Sequence, residues 1–258
     1  MTEILTSPSA WALLLSVGLL AGFVDAIVGG GGMLTVPALL SLGLPPHLAL
    51  GTNKLSSSFG SGTATFIYFR KKLFDPGFWK HSFYSTVIGA ISGTVLINFI
   101  NTYWLNKLLP VIIFFVAIYS FFSSMDDNHQ QSLPKKTPSL RLKQRVQGVA
   151  LGAYDGAFGP GTGAFWIISN IRLYRVNVLI ASGLAKSMNF TSNFTALLTF
   201  IYFGQVNWHI GFALGSSLMI GAFIGTHSAI RFGAKFIRPI FITMVLIISL
   251  KLGIQAWF

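Results

Sequence analysis

Of 258 residues, 53% are apolar and 14% aromatic, and only 9% are charged, against about 25% in soluble domains. So few charges cannot clothe a soluble fold of this length, so the bilayer is the expected solvent, and this apolar setting argues against the nucleic acid partner that a net charge of +12 would otherwise suggest. The chain has no cysteine, hence no disulfide and no thiolate metal site.

Residues 1–8 carry Glu3 and no basic residue, unlike the positive start of a secretory signal, so the first apolar stretch is expected to stay in the mature chain. Apolar runs suited to about 30 Å of hydrocarbon, roughly 20 residues each, then follow in order. The first, about 5–43, is broken by Gly29, Gly30, Gly31 and Gly32; the next three are 50–69, 79–100 and 105–123. A polar stretch, 124–147, holds Asp126, Asp127, two prolines and five basic residues and reads as a solvated linker. Beyond it the pattern repeats. Gly22-Phe23-Val24-Asp25 to Gly29 aligns with Gly152-Ala153-Tyr154-Asp155 to Gly159, and Gly51 to Lys54 with Gly183 to Lys186. Phe66 to Phe69 recurs as Phe200 to Phe203, and Gly89 to Thr94 as Gly221 to Thr226. The organisation expected is a first transmembrane repeat, 1–123, a cytoplasmic linker, 124–147, and a second transmembrane repeat, 148–258.

Basic residues orient the halves. Four full spans per half would make the repeats parallel and divide the basic residues, Lys54 and Lys186 apart, ten to six. A hairpin entering and leaving on one face makes the repeats inverted and the division fourteen to two. Arg70, Lys71, Lys72 and Lys80 then share a face with Lys135, Lys136, Arg141, Lys143 and Arg145, with Arg172 and Arg175, and with Arg231, Lys235 and Arg238; only Lys107 and Lys251 lie opposite. In the second half, 146–171 has length for two half-depth legs of about 20 Å each; in the first, 5–28 could cross alone. The fold class expected is an all-α polytopic membrane protein of two inverted homologous repeats, each a glycine-rich broken or re-entrant helical hairpin followed by three transmembrane helices. Both termini are expected outside the cytoplasm.

Two carboxylates, Asp25 and Asp155, and two ammonium groups, Lys54 and Lys186, lie within apolar segments, each pair being repeat equivalents. Charge at such depth costs several kcal/mol unless paired or hydrated and marks a functional candidate; the competing reading is two structural Asp–Lys pairs tying each hairpin to the helix after it. Each Asp precedes a glycine-rich break by four residues. Irregular backbone there needs protein or a watery cavity around it, and the helix that follows offers free amide groups to an anion. The carboxylate at the end of the preceding leg faces the negative end of a dipole, which opposes its ionisation and suits proton coupling. Thr52, Asn53 and Ser56 to Ser58, with Asn189, Thr191, Ser192 and Asn193, either line a hydrated path or bond helices together. Gly89 with Gly93, and Gly221 with Gly225, suit helix packing. The five histidines lack ligand spacing, with His227 retained as a proton-site candidate. No acid, base and nucleophile are grouped as an enzyme requires.

Gly22-Phe23-x-Asp25-x-x-x-Gly29-Gly30-Gly31-Gly32 with Thr52-Asn53-Lys54, and Tyr154-Asp155-Gly156-x-x-Gly159-Pro160 with Ala185-Lys186-x-x-Asn189-x-Thr191-Ser192-Asn193, resemble the TauE/SafE family of sulfite exporters, also termed TSUP, most nearly its YfcA-type branch. The resemblance spans essentially the whole chain and implies a permease of the bacterial inner (plasma) membrane for sulfite, sulfonates or other sulfur-containing anions. The expectation is a secondary transporter for such a small anion, without cofactor or metal and with its oligomeric state open. Gly29, Gly30, Gly31, Gly32, Thr52, Asn53, Lys54, Gly159, Gly161, Thr162, Lys186, Asn189 and Asn193 would bind the anion, and Asp25 and Asp155 would couple protons. An anion channel with the same hairpins as its selectivity filter is the alternative.

Overall fold

The structure, a computed structural model, describes residues 7–122 and 133–232, with Leu250 and Ile254. Within these residues the chain forms nine α-helices and no strand: α1 (Pro8–Val28), α2 (Gly32–Ser41), α3 (Pro46–Arg70), α4 (Lys80–Asn98), α5 (Thr102–Phe122), α6 (Pro138–Ala157), α7 (Thr162–Tyr174), α8 (Val178–Tyr202) and α9 (Trp208–Phe232). Expectations for Glu3, Asp126, Asp127, Lys235, Arg238, Lys251, both termini and the last transmembrane helix fall outside the described residues.

Local chemistry sets the boundaries. Proline occupies the first turn of α1, α3 and α6, where an N–H has no helical partner to lose. The side chains of Thr137 and Asn177 accept from the amides of Leu140 and Ile180 and cap α6 and α8. Helix α6 begins inside the stretch read as a solvated linker: Thr137 and Pro138 start it, and Arg141, Lys143 and Arg145 lie on its first turns. The second hairpin therefore has one long leg of 20 residues and one short leg of 13, not two half-depth legs, and matches the 21 and 10 residues of α1 and α2. At 1.5 Å per residue only the long legs approach the thickness of the hydrocarbon. Helices α3 and α8 have 25 residues each and start and end 132 residues apart, so the Phe66 and Phe200 blocks, 134 apart, sit two residues out of register.

Among the described residues three helices, α1, α5 and α9, are long and apolar enough to cross a membrane. Their outer faces carry exposed Leu13, Leu20, Phe115, Tyr119, Phe212 and Phe223. Helices α3 and α8 have the length without the hydropathy, because serine, threonine, asparagine and lysine occupy the faces that neighbouring helices cover.

The halves interleave. The long leg α1 of the first hairpin packs on α9 of the second half, and α6 packs on α4 of the first. Small residues bring backbones together at both seams: a Cβ at Gly221 would lie 2.0 Å from the Leu19 carbonyl oxygen, and one at Gly93 would lie 1.9 Å from that of Ala153. Between the seams α3 and α8 cross. Gly51, early in α3, abuts Gln205 just past the end of α8, whereas Gly62, late in α3, abuts Phe190 in the middle of α8. These two repeat-equivalent helices thus run antiparallel. At one end of the bundle the α3–α4 loop, the start of α6 and the end of α7 join in an apolar cluster containing Phe78, Trp79, Leu140 and Tyr174. The basic residues of those segments gather there. Lys107 lies on the first turns of α5, over the ring of Tyr103, where the start of α3 meets the end of α4 through His47 and the Ile97 carbonyl.

Candidate functional site

Among the described residues, Asp25, Asp155, Lys54 and Lys186 form two ion pairs, and both pairs cross between the halves. Lys54 of α3 meets Asp155 of α6 at 2.6 Å, and Lys186 of α8 meets Asp25 of α1 at 2.9 Å. The sequence suggested pairing within each half; interleaving of the hairpins gives each Asp the other half's lysine instead. Removing one member of such a pair leaves an uncompensated charge, at a cost of about 3–5 kcal/mol.

The Lys54 pair is saturated. Its ammonium donates to the Asp155 carboxylate, to the Asp155 backbone carbonyl and to Asn193 Oδ1 at 3.2 Å, which uses all three of its protons. The carbonyl is one of those at the C-terminus of α6 that have no helical partner, so the lysine also caps the helix. The second oxygen of Asp155 accepts from the Ser192 hydroxyl. Asn193 is steadied in turn by its amide donating to Asn189 Oδ1. Gly159, at φ +93°, makes room: a Cβ there would stand 2.9 Å from Lys54 Nζ. The Asp155 side chain is 2% exposed.

The Lys186 pair is leaner. Asp25 accepts from Lys186 through one oxygen and from the Gly31 amide, 3.1 Å away, through the other. That amide opens the short leg α2, so the carboxylate also benefits from the positive end of that helix. Six residues after Lys186 stands Ser192; six after Lys54 stands Gly60. Seven after, Asn193 is matched by Ser61, whose hydroxyl turns to the Ser57 carbonyl. Lacking both counterparts, Asp25 keeps 15% of its side chain exposed, although Lys186 is fully buried.

The glycine-rich tips meet between the pairs. The Ala164 amide donates to the Gly29 carbonyl at 3.0 Å, and a Cβ on Gly29, itself at φ +81°, would lie 2.2 Å from the Gly163 carbonyl carbon. On the other side Gly32 approaches the Pro160 backbone. Gly30 accepts from the Met33 amide as α2 begins. Gly161 is packed under Val116 of α5, and Thr162 donates to the Gly159 carbonyl to start α7. Asn53 Oδ1 accepts from Thr35 at 2.5 Å and from Ser57 at 3.3 Å. Thr52 points elsewhere, accepting from the Asn207 amide in the α8–α9 turn. His227 is exposed on α9 and bonded to the Phe223 carbonyl of its own helix. Thr35 was absent from the expected set; its signal was a hydroxyl within the apolar run after Gly32.

The structure thus gathers the two Asp, the two Lys, the glycine tips, Asn53, Asn189 and Asn193 around the crossing of α3 and α8, and leaves Thr52 at its edge. A family model described as "Sulfite exporter TauE/SafE" matches residues 14–252. A "Probable membrane transporter protein" of Haemophilus influenzae is 36% identical over 250 residues, 96% of each chain. The "Probable membrane transporter protein YfcA" of Escherichia coli strain K12 is 34% identical over 248 residues, 96% of this chain and 91% of that one. The "Probable membrane transporter protein ORF9" of a Sinorhizobium species is 36% identical over 93% of this chain and 91% of its own. No solved structure matches the chain significantly.

Proposed function

Because this chain belongs to the sulfite exporter TauE/SafE family of membrane transporters, we propose that it is a proton-coupled secondary transporter for a small, sulfur-containing oxyanion of the sulfite or sulfonate class. The observation that carries this reading is the lean, part-exposed Asp25–Lys186 pair at the meeting point of two glycine-rich tips. Protonating Asp25 removes the counter-ion of Lys186, and a substrate oxyanion takes the vacated place, helped by the amides that open α2 and α7 and by the Asn53 and Asn189 side chains. Proton and anion then occupy the site together, which couples their movement.

The repeats are inverted in the membrane, a reading supported by the antiparallel crossing of α3 and α8. The basic end faces the cytoplasm of a bacterial plasma membrane and both termini face away, in keeping with the positive-inside rule. Rocking of one half against the other about the crossing alternates access. Single cysteines replacing Lys71 and Asn207 then label from opposite faces; labelling from one face overturns the inverted arrangement.

Function is tested with the purified full chain in proteoliposomes, by solute-resolved flux of sulfite, thiosulfate, sulfoacetate and taurine. Saturable flux that follows an imposed proton gradient is expected for at least one of them. Ohmic single-channel currents carried by the same anions would establish the channel in its place.

A further inference from the structure

At the basic end, away from the ion pairs, a cleft of about 240 Å³ opens between the loop entering α4 and the first turns of α6. Phe78, Lys80, His81, Lys136, Arg141 and Gln144 line it. We propose that this cleft binds a phosphate group, free or as the headgroup of an anionic phospholipid.

Three cations and an imidazole converge on it from two stretches of chain distant in sequence, Lys80 with His81 and Lys136 with Arg141. The two described ion pairs involve none of them, and the one described carboxylate of the loop, Asp75, accepts from the Gly77 amide. The site is built, not merely charged. Gln144 is buried and donates to the Phe78 carbonyl, fixing α6 to the loop, and Lys136 lies with its ammonium 5.6 Å from the centre of the Phe78 ring. Helices α4 and α6 both start at the cleft, adding two positive dipole ends to its field. Arg141 supplies the forked donor that suits phosphate oxygens. The volume is below the roughly 300–1,000 Å³ of drug-sized sites, so a compact headgroup fits and a large metabolite does not.

Positive-inside charge alone accounts for the number of cations on this face but not for their convergence; Lys71 and Arg172 share the face and stay outside the cleft. The opposite end makes the contrast sharper. In the repeat register Arg141 corresponds to Trp11 and His81 to Ala213, so the equivalent place there is apolar. Just beyond the cleft, exposed Phe83 and Tyr84 on α4 and exposed Leu142 and Val146 on α6 offer a surface for acyl chains. His81 lines the cleft and reports on its occupancy, because a phosphate bound beside its imidazole favours the protonated form.

The full chain in nanodiscs of phosphatidylcholine with phosphatidylglycerol is examined by native mass spectrometry for retained lipid, and by NMR of His81 during titration with inorganic phosphate. Retention of phosphatidylglycerol over phosphatidylcholine assigns the site to lipid, and a raised His81 titration on adding phosphate assigns it to the free anion; either supports the proposal. Lys136→Gln with Arg141→Gln weakens the response about tenfold or more, Lys80→Gln alone weakens it less, and Arg141→Lys with the other residues intact retains most of it. The control pair Lys71→Gln with Arg172→Gln removes the same charge from the same face and leaves the response intact. Equal loss in the control, or neither ligand engaged by the unaltered chain, overturns the proposal.

Discussion

The two buried ion pairs use the same residue types, at equivalent places in a duplicated sequence, and end in different physical states. Around Asp155 and Lys54 every strong donor and acceptor is occupied, and the carboxylate is sealed at 2% exposure. Around Asp25 and Lys186 the supporting hydroxyl and amide are missing, because Gly60 and Ser61 stand where the other half has Ser192 and Asn193, and exposure rises to 15%. The two halves hold two copies of one device, and two residues on α3 that differ from their counterparts on α8 leave one copy with fewer partners than the other. A fully satisfied buried network rigidifies; a partly satisfied one is where change is least costly.

The largest expected effect separates the pairs by stability. Lys54→Met leaves Asp155 charged and enclosed, lowering stability by about 3–5 kcal/mol in thermal unfolding of the detergent-purified protein. Lys186→Met costs visibly less, since Asp25 keeps the Gly31 amide and some contact with the surroundings. Equal losses would sink the distinction. Next in size is a division by function. Asp25→Asn folds and loses the response of flux to a pH jump across proteoliposomes, whereas Asp155→Asn keeps that response in whatever fraction folds; the reverse outcome would move the proton to Asp155. The smallest effect is the most specific. Gly60→Ser supplies the hydroxyl that the other half has at Ser192, and its Cβ would make ordinary contact with Leu218, 3.4 Å from that residue's Cβ. It is expected to add about 1 kcal/mol of stability and to slow turnover, while Ser192→Gly loses a similar amount. If turnover stays unchanged in Gly60→Ser, the hydroxyl is not what distinguishes the two sites.

Much of the helical framework was legible because apolar run length and glycine breaks report directly on what a bilayer tolerates. The expected run 105–123 is helical in α5 as far as the described residues reach, and 50–69 became the body of α3. The start of α6 was obscured by its own arginines, which read as solvated chain although they stand on a helix at the basic end. Its register was available: Pro138-Ser139 lies 130 residues after Pro8-Ser9, the same offset as Asp155 after Asp25. The four buried charges were legible as a set, since charge within apolar sequence is rare and costly. Their pairing was not. The partners lie 101 and 161 residues apart, and a repeat reveals which residues are equivalent but not which half supplies the neighbour. The weight of Gly60 opposite Ser192 was equally invisible until Ser192 was seen bonded to Asp155.

The crossed pairing also constrains how the chain can be made. While only the first half has entered the bilayer, Asp25 and Lys54 both await counter-ions that the ribosome has yet to synthesise, and α4 lacks the α6 surface against which its glycines fit. Helix insertion and native assembly are therefore separable in time: neither native ion pair can form from the first half alone, and the second one waits for Lys186.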